Sequence, residues 1–275
     1  MSTFSGVETF SAETPTLPPA THTQSYAIGT RQVILVEPAT PYEPEQKRWL
    51  AWARGLVAQG RELVAIVATH HHPDHIGGAV VFARELGLPI WAHAETKTRI
   101  DAPVARTLDE GDVLELDGPT PQRWKVLFTP GHAPGHVCLH EESLGALIVG
   151  DMVASVGTIL IEPREGDMQR YLAELARLEK LEAQAAFPAH GDMIGTPSRL
   201  FRAYIAHRAM REGAVLSAVG TLGGAGTLDD LLPVAYVDTN PLLFPIARLS
   251  LEAHLVKLVR EGRVTQREDR FFAAD

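Results

Sequence analysis

Residues 69–78, Thr-His-His-His-Pro-Asp-His-Ile-Gly-Gly, constrain this chain more than any other stretch. His70, His72, Asp74 and His75 fall within six positions in the pattern H-x-H-x-D-H. Imidazole nitrogen and carboxylate oxygen suit zinc, iron and manganese. A core histidine needs one hydrogen-bond partner, whereas four ligand-type side chains in so small a volume need something that neutralises and orders them. The bland alternative is a His-rich solvated loop, and the context argues against it. Leu63-Val64-Ala65-Ile66-Val67-Ala68-Thr69 is a short apolar run that reads as a buried strand ending at the first histidine. Ile76-Gly77-Gly78 then opens a helical stretch to about Leu86. Ligands after a strand and before a helix stand where α/β proteins place their sites.

Three further candidates share that setting. Val126–Thr129 reads as a strand followed by Pro-Gly-His132-Ala-Pro-Gly-His136. Ala146–Val149 leads into Gly150-Asp151, and Ala185–Pro188 into Ala189-His190-Gly191-Asp192. Small residues or proline flank each one, and glycine lets the backbone turn sharply beside a metal. His71 alternates with the ligand positions along an extended segment and is expected to point away. His93, after the strand-like Pro89–Ala92, and His136 are supporting or cleft-lining candidates. The single cysteine, Cys138, alternates as a strand core position and reads as packing.

In this order of motifs the chain resembles the metallo-β-lactamase-fold superfamily over roughly residues 20–195. The resemblance implies a four-layer αββα sandwich with a two-metal site at one edge of the sheets. His70, His72 and His132 would hold one metal, and Asp74, His75 and His190 the other, with Asp151 bridging. Asp74 and His75 are the catalytic candidates. A bridging Asp without a Cys ligand resembles the glyoxalase II and ribonuclease Z side of the superfamily. One departure stands out: the early family strand that usually ends in Asp-x-Gly ends here in Glu37-Pro38-Ala39, so Glu37 would serve as a supporting carboxylate through a longer arm.

The implied cofactor is a pair of divalent cations, zinc first, with manganese or iron as alternatives. Two cations roughly 3.5–4 Å apart can share a water and lower its pKa to about 7, making hydroxide available at neutral pH. Ligand histidines need their second nitrogen satisfied. Asp192, Glu37 and main-chain groups are the candidates.

The texture changes near residue 200. Before it, strands alternate with helices at Glu43 to about Gly60 and Asp167–Glu182. After it come a long helix over Arg199 to about Val219 and a glycine-rich break at 223–226. A short helix capped by Thr227 follows, then a helix over Leu242–Arg260 interrupted near Pro245. Arg263–Gln266 and Arg270–Phe272 read as a hairpin. Three helices and a hairpin resemble the winged helix of the lactamase-beta-like 2 type. The expected organisation is a partly disordered segment at 1–20, a catalytic domain at 21–199 and a winged-helix-like domain at 200–275.

Net charge is −9, and residues 200–275 hold nine Lys/Arg against nine Asp/Glu, so the excess lies in the catalytic part. Nucleic-acid binders carry basic surfaces, which argues against RNA despite the endoribonucleases among the relatives implied. A hydrophobic content of 45% without an apolar run of membrane length fits a globular protein, with no membrane partner. The start of the chain lacks the pattern of a secretory signal, so the cytoplasm is expected. The favoured activity is hydrolysis of a small-molecule or carrier-linked acyl (thio)ester. The alternatives are a single-strand endoribonuclease and a mononuclear iron oxidoreductase of persulfide-dioxygenase type. A homodimer is compatible with the sequence.

Overall fold

The computed structural model describes residues 4–221 and 225–274, which fall into two compact bodies. The first holds residues up to 129, 134–159 and 181–198. The second holds residues 130–133, 160–180 and those from Arg199 onward. The C-terminal body thus takes in two stretches that lie before the sequence boundary at residue 200.

The first body contains two sheets. The larger runs β1 (Val7–Glu13), β2 (His22–Ile28), β3 (Gln32–Val36), β4 (Glu62–Val67), β5 (Ile90–Ala92) and β6 (Val104–Thr107), in that spatial order. Hairpin-type pairing makes β1 to β3 antiparallel. From β3 onward the pairing is parallel, because α1 (Glu43–Ala58), α2 (Pro73–Ile76) with α3 (Ala79–Leu86), and α4 (Ala94–Lys97) intervene between strands. The smaller sheet holds β7 (Val113–Leu116), β8 (Gln122–Phe128), β9 (Val137–Glu141), β10 (Ala146–Gly150) and β11 (Ala185–Pro188), in the order β11-β10-β9-β8-β7.

Period-two alternation decides which side of each strand is buried against what. Tyr26, Ile28, Ile34, Val36 and Val67 of the larger sheet share one core with Trp124, Val126, Leu139, Ile148 and Phe187 of the smaller. The intervening residues Ala27, Val33, Leu35 and Ile66 pack on Trp49, Ala53 and Leu56 of α1 and Phe82 of α3. Trp49 and Phe82 stack at 3.8 Å between ring centroids. The result is the mixed α/β sandwich that the sequence pattern implies.

Local differences from the sequence reading have simple causes. The first 20 residues, expected to be partly disordered, include β1, whose Val7 and Ala12 are buried and which pairs with β2 along its whole length. The helical stretch after the His-rich run is two helices, since Gly77 and Gly78 separate α2 from α3.

The second body holds α5 (Met168–Glu179), the main part of α6 (Pro197–Thr221), α7 (Leu228–Ala235) and α8 (Phe244–Arg260). Its three-stranded sheet has the order β12 (Gly226–Thr227), β14 (Arg270–Ala273), β13 (Val264–Arg267). Val215, Val219, Leu231, Leu251, Leu255, Leu258 and Phe271 form its core. Thr227 and Asp230 make a reciprocal capping box at the start of α7. Pro245 does not interrupt a helix. It stands in the first turn of α8, where its missing N–H costs nothing, and Pro241–Leu243 forms a separate 3₁₀ turn. Of the glycine-rich break, positions 223 and 224 lie outside the described residues, while Gly226 opens β12. Among the described residues, no helix is long and apolar enough to cross a membrane.

His254 of α8 is fully buried, and neither ring nitrogen has a hydrogen-bond partner among the described residues. Burial pushes its pKa down to about 3, helped by the positive charges of Arg208, Lys257, Arg211 and His207. Glu212, 4.0 Å from Nδ1, is the nearby acid. The folded state therefore keeps this imidazole neutral, while the unfolded chain protonates it below about pH 6.5. Its contribution is complete above that pH and is lost as pH falls toward 3, because only the unfolded state takes up the proton. Between pH 7 and 5 the loss is about 2 kcal/mol. Urea unfolding of His254→Leu should show a shallower loss of stability over this interval than wild type. An identical loss in both proteins would refute the assignment.

Candidate metal centre

The candidate side chains all follow strand C-termini. Glu37 follows β3, His70–His75 follow β4, Asp151 follows β10 and His190 follows β11. β3 and β4 run parallel, as do β10 and β11, so each pair delivers its C-terminal ends to one edge. Gly77 is required at the end of α2, where a Cβ would lie 2.7 Å from the main-chain nitrogen of Pro41.

Hydrogen bonding sets the imidazole orientations. Thr69 Oγ1 donates to Glu37 Oε1 at 2.6 Å, and its single proton is then used. The contact of Thr69 Oγ1 with His70 Nδ1, at 3.0 Å, must therefore be donated by His70. That tautomer leaves a lone pair on His70 Nε2, which faces His72 Nδ1 at 2.9 Å. His75 Nδ1 lies 3.1 Å from Glu37 Oε1, turning Nε2 toward Asp74 and Asp151. His190 Nδ1 donates to the main-chain carbonyl of His22 at 3.0 Å, leaving Nε2 for the same carboxylates. Two further bonds flank this one: Gln24 N donates to Ala189 O at 2.7 Å, and Tyr26 Oη to Pro188 O at 2.6 Å.

Glu37 has a positive φ of 61°, a conformation that most side chains avoid. Its neighbours hold it there. The amide of Glu37 donates to Val67 O, and its carbonyl accepts from Ser25 Oγ, which in turn accepts from Trp49 Nε1.

The donor set fits a bound cation. His190 Nε2 lies 3.5 Å from Asp74 Oδ2 and 3.4 Å from Asp151 Oδ1, and His75 Nε2 lies 3.5 Å from Asp151 Oδ2 and 3.8 Å from Asp74 Oδ2. Such gaps are long for hydrogen bonds, yet ligands about 2.1 Å from one tetrahedral ion stand about 3.4 Å apart. Ligand atoms of Asp74, His75 and His190 all lie within 4.8 Å of one another, as do those of Glu37, His70 and His75. Charge points the same way. Burial disfavours a charged His75, but Asp151, Asp74 and Glu37 outweigh it and raise its pKa well above the usual imidazole range. Burial opposes ionisation of Asp151 too, yet His190 and His75 hold its pKa well below the usual carboxylate range. The pocket is an anionic cage that a cation would satisfy.

The remaining sequence candidates have the following surroundings. His132 belongs to the second body, where Nδ1 donates to Leu160 O at 3.0 Å. Gly131 beside it, with φ of 139°, packs so closely on Tyr171 that a Cβ would lie 2.3 Å from the Tyr171 nitrogen. His136 is buried between Thr129 and Asp151. His93 caps α4 by accepting from Glu95 N at 3.1 Å, and its ring stacks on Phe128. Asp192 does not serve His190: its amide donates to Ser155 Oγ, and the main chain of His22 takes the role instead. Sequence reasoning missed Thr69, Tyr26 and the carbonyl of His22. Thr69 had a signal, a hydroxyl at the strand end directly before His70, whereas main-chain acceptors carry none.

Residues 18–190 match the family model of the metallo-beta-lactamase superfamily. The chain belongs to that superfamily. Residues 227–272 of this superfamily member match the beta-lactamase associated winged helix domain. It is similar to the lactamase-like protein nscB of Trichophyton rubrum, 31% identical, covering 84% of this chain and 68% of that one. Similarity to the beta-lactamase-like protein 2 homolog of Caenorhabditis elegans is 29% identity over 88% of this chain and 80% of the relative. With the atrochrysone carboxyl ACP thioesterase of Aspergillus fumigatus it is 26% over 78% and 68%. The crystal structure of a metallo-beta-lactamase family protein from Thermus thermophilus shares the fold at a TM-score of 0.79, with 24% identity and 98% of both chains covered. A second similar structure, solved in a di-iron-bound form, gives a TM-score of 0.54 at 25% identity, covering 67% of this chain and 95% of its own.

Glu37→Ala removes the carboxylate that accepts from Thr69 Oγ1 and stands 3.1 Å from His75 Nδ1. Loss of such an orienting partner is expected to weaken metal affinity roughly 10–100-fold, measured by competition with a chromogenic chelator. A change smaller than about threefold would show that Glu37 does not orient the centre.

Proposed function

We propose that this protein is a dinuclear metal-dependent hydrolase of an acyl thioester. His70, His72 and His132 would hold one cation, Asp74, His75 and His190 would hold the other, and Asp151 would serve both. The observation that carries this reading is the spacing of 3.4–3.8 Å among Asp74, His75, Asp151 and His190, matched to ligands of a common ion. The strand ends that flank the 129–137 loop are fixed beside His70: Thr129 N donates to His136 O, and Val137 N donates to Thr69 O. Zinc is the favoured metal, with manganese and iron suited to the same oxygen and nitrogen donors. The similar protein solved with two irons supports a two-metal arrangement.

Bound cations supply carbonyl polarisation and a nucleophile formed from water near neutral pH. Around them the chain orients and accepts protons. Glu37 and Thr69 fix the rings of His75 and His70. Asp74, whose side chain is 14% exposed, is the site carboxylate within reach of solvent; with Oδ2 turned to His75 and His190, its other oxygen would be left to accept a proton from water. A thiol has a pKa of about 8.5, so a thiolate departs without strong acid assistance.

The substrate class rests on the similar acyl-carrier thioesterase and on a groove beside His190. The groove, of about 350 Å³, is lined by Ser11, Thr21, His22, Gln24 and Gly191 among others. Its lining mixes apolar Pro19, Ala20 and Val156 with hydroxyl and amide side chains, which suits an uncharged, amide-bearing arm such as pantetheine. The test is thiol release from a panel of acyl-CoA and acyl-pantetheine thioesters by zinc- or manganese-loaded protein. Wild type should release thiol while His72→Ala and Asp151→Ala do not. Equal release by metal-depleted Asp151→Ala would sink the two-metal reading. Release no greater than that of His72→Ala would reject the thioester and turn attention to single-stranded RNA.

A further inference from the structure

One buried histidine at the strand ends is left over by the ligand assignment. His136 has no exposed surface, and its ring contacts a hydroxyl on one side and an amide on the other. Nδ1 lies 2.8 Å from Thr129 Oγ1, and Nε2 lies 3.0 Å from the main-chain nitrogen of Asp151. An amide only donates, so Nε2 must carry a lone pair and the proton must sit on Nδ1, which donates it to Thr129. The ring is neutral and oriented. It also shapes the backbone. Gly150 has a positive φ of 47°, and a Cβ there would lie 2.6 Å from His136 Nε2. β10 therefore ends on a glycine against which the imidazole closes. The next residue presents its amide to His136 and its carboxylate to His75 and His190.

We propose that His136 is a positioning residue for the metal centre: by accepting the Asp151 amide proton, it sets the main chain from which the shared carboxylate is presented. The inference rests on the reading of Asp151 as a ligand common to both cations. In this role His136 acts through a main-chain hydrogen bond to Asp151 rather than as a ligand. A buried amide deprived of its acceptor is costly, so losing this contact should relax the Gly150–Asp151 turn and with it the carboxylate.

Two substitutions separate the two ends of the ring. In His136→Gln the side-chain oxygen reaches the place of Nε2 and can still accept from Asp151. In His136→Asn the amide reaches only the place of Nδ1, keeping the Thr129 contact and losing the other. Full-length proteins would be loaded with zinc, dialysed and assayed for bound equivalents, with cobalt spectra as a second readout and Tm of the metal-free forms as the measure of folding. The glutamine variant is expected to bind both equivalents within about threefold of wild type, and the asparagine variant to bind the weaker equivalent roughly 10–100-fold less tightly. Metal-free Tm should fall similarly in both. Equal metal binding by the two variants, or weaker binding by glutamine, would overturn the proposal. A further check needs no variant: in metal-free wild type the Asp151 amide should exchange slowly with solvent deuterium, and fast exchange would overturn the proposal as well. Wild type that binds no zinc at all would instead overturn the metal-centre reading, and the proposal with it.

Discussion

The contact between the Glu37 carboxylate and the Thr69 hydroxyl, 2.6 Å long, joins the ends of two adjacent parallel strands. Everything at the centre of the first body follows from it. It spends the only proton of Thr69, which forces His70 into one tautomer, and it places the same carboxylate against His75. The contact exists because β3 and β4 run side by side and stop together, so that consecutive strand ends deliver their side chains to one small volume. An unusual backbone conformation at Glu37 is the local cost, of order 1–3 kcal/mol for a residue held in a sparsely populated region. The chain of hydrogen bonds through Ser25 to Trp49 holds the conformation in place.

Much of this was legible in the residues. Apolar runs ending in His or Asp place the ligand candidates at strand ends, because a strand buried on both faces must be continuously apolar while its exit is free to be polar. Leu63–Thr69 and Ala146–Val149 illustrate the rule. The departure at Glu37 reads as a supporting carboxylate; in the structure its Oε1 accepts from Thr69 and lies 3.1 Å from His75 Nδ1. What the residues could not reveal is where a histidine finds its second partner when that partner is main chain. Asp192 lies two residues from His190 and looked suitable, yet the carbonyl that serves lies 168 positions away at His22. Such a contact is fixed by sheet packing, which leaves no side-chain signature.

The second body shows the same limit at a larger scale. In α5 the buried residues are Met168, Tyr171, Leu175 and Leu178, and periodicity alone does not say against what they pack. The structure groups α5 and the loop at residues 130–133 with the C-terminal helices, through contacts such as Asp167 N to Gly131 O and Arg260 to Asp167. His132 is therefore fixed by a neighbour well beyond it in the chain, Leu160, at a separation of 28. Pro245, by contrast, was misjudged for a local reason: proline ends helices from within and begins them from the first turn, and only the backbone distinguishes the two.

The three bonds between β2 and the stretch from Pro188 to His190 fall at His22, Gln24 and Tyr26, every second position along one strand. They lace the larger sheet to the stretch of the smaller one that carries His190. Parting the two sheets at this end therefore breaks the support of His190 in the same event, and holding His190 in place keeps the sheets together. Closure of the sandwich and completion of the centre form one cooperative unit rather than two successive steps. A ligand that grips His190 would act as a clasp on the whole end of the fold, felt in solvent protection of the Gln24 amide far along the chain from any residue of the His-rich run.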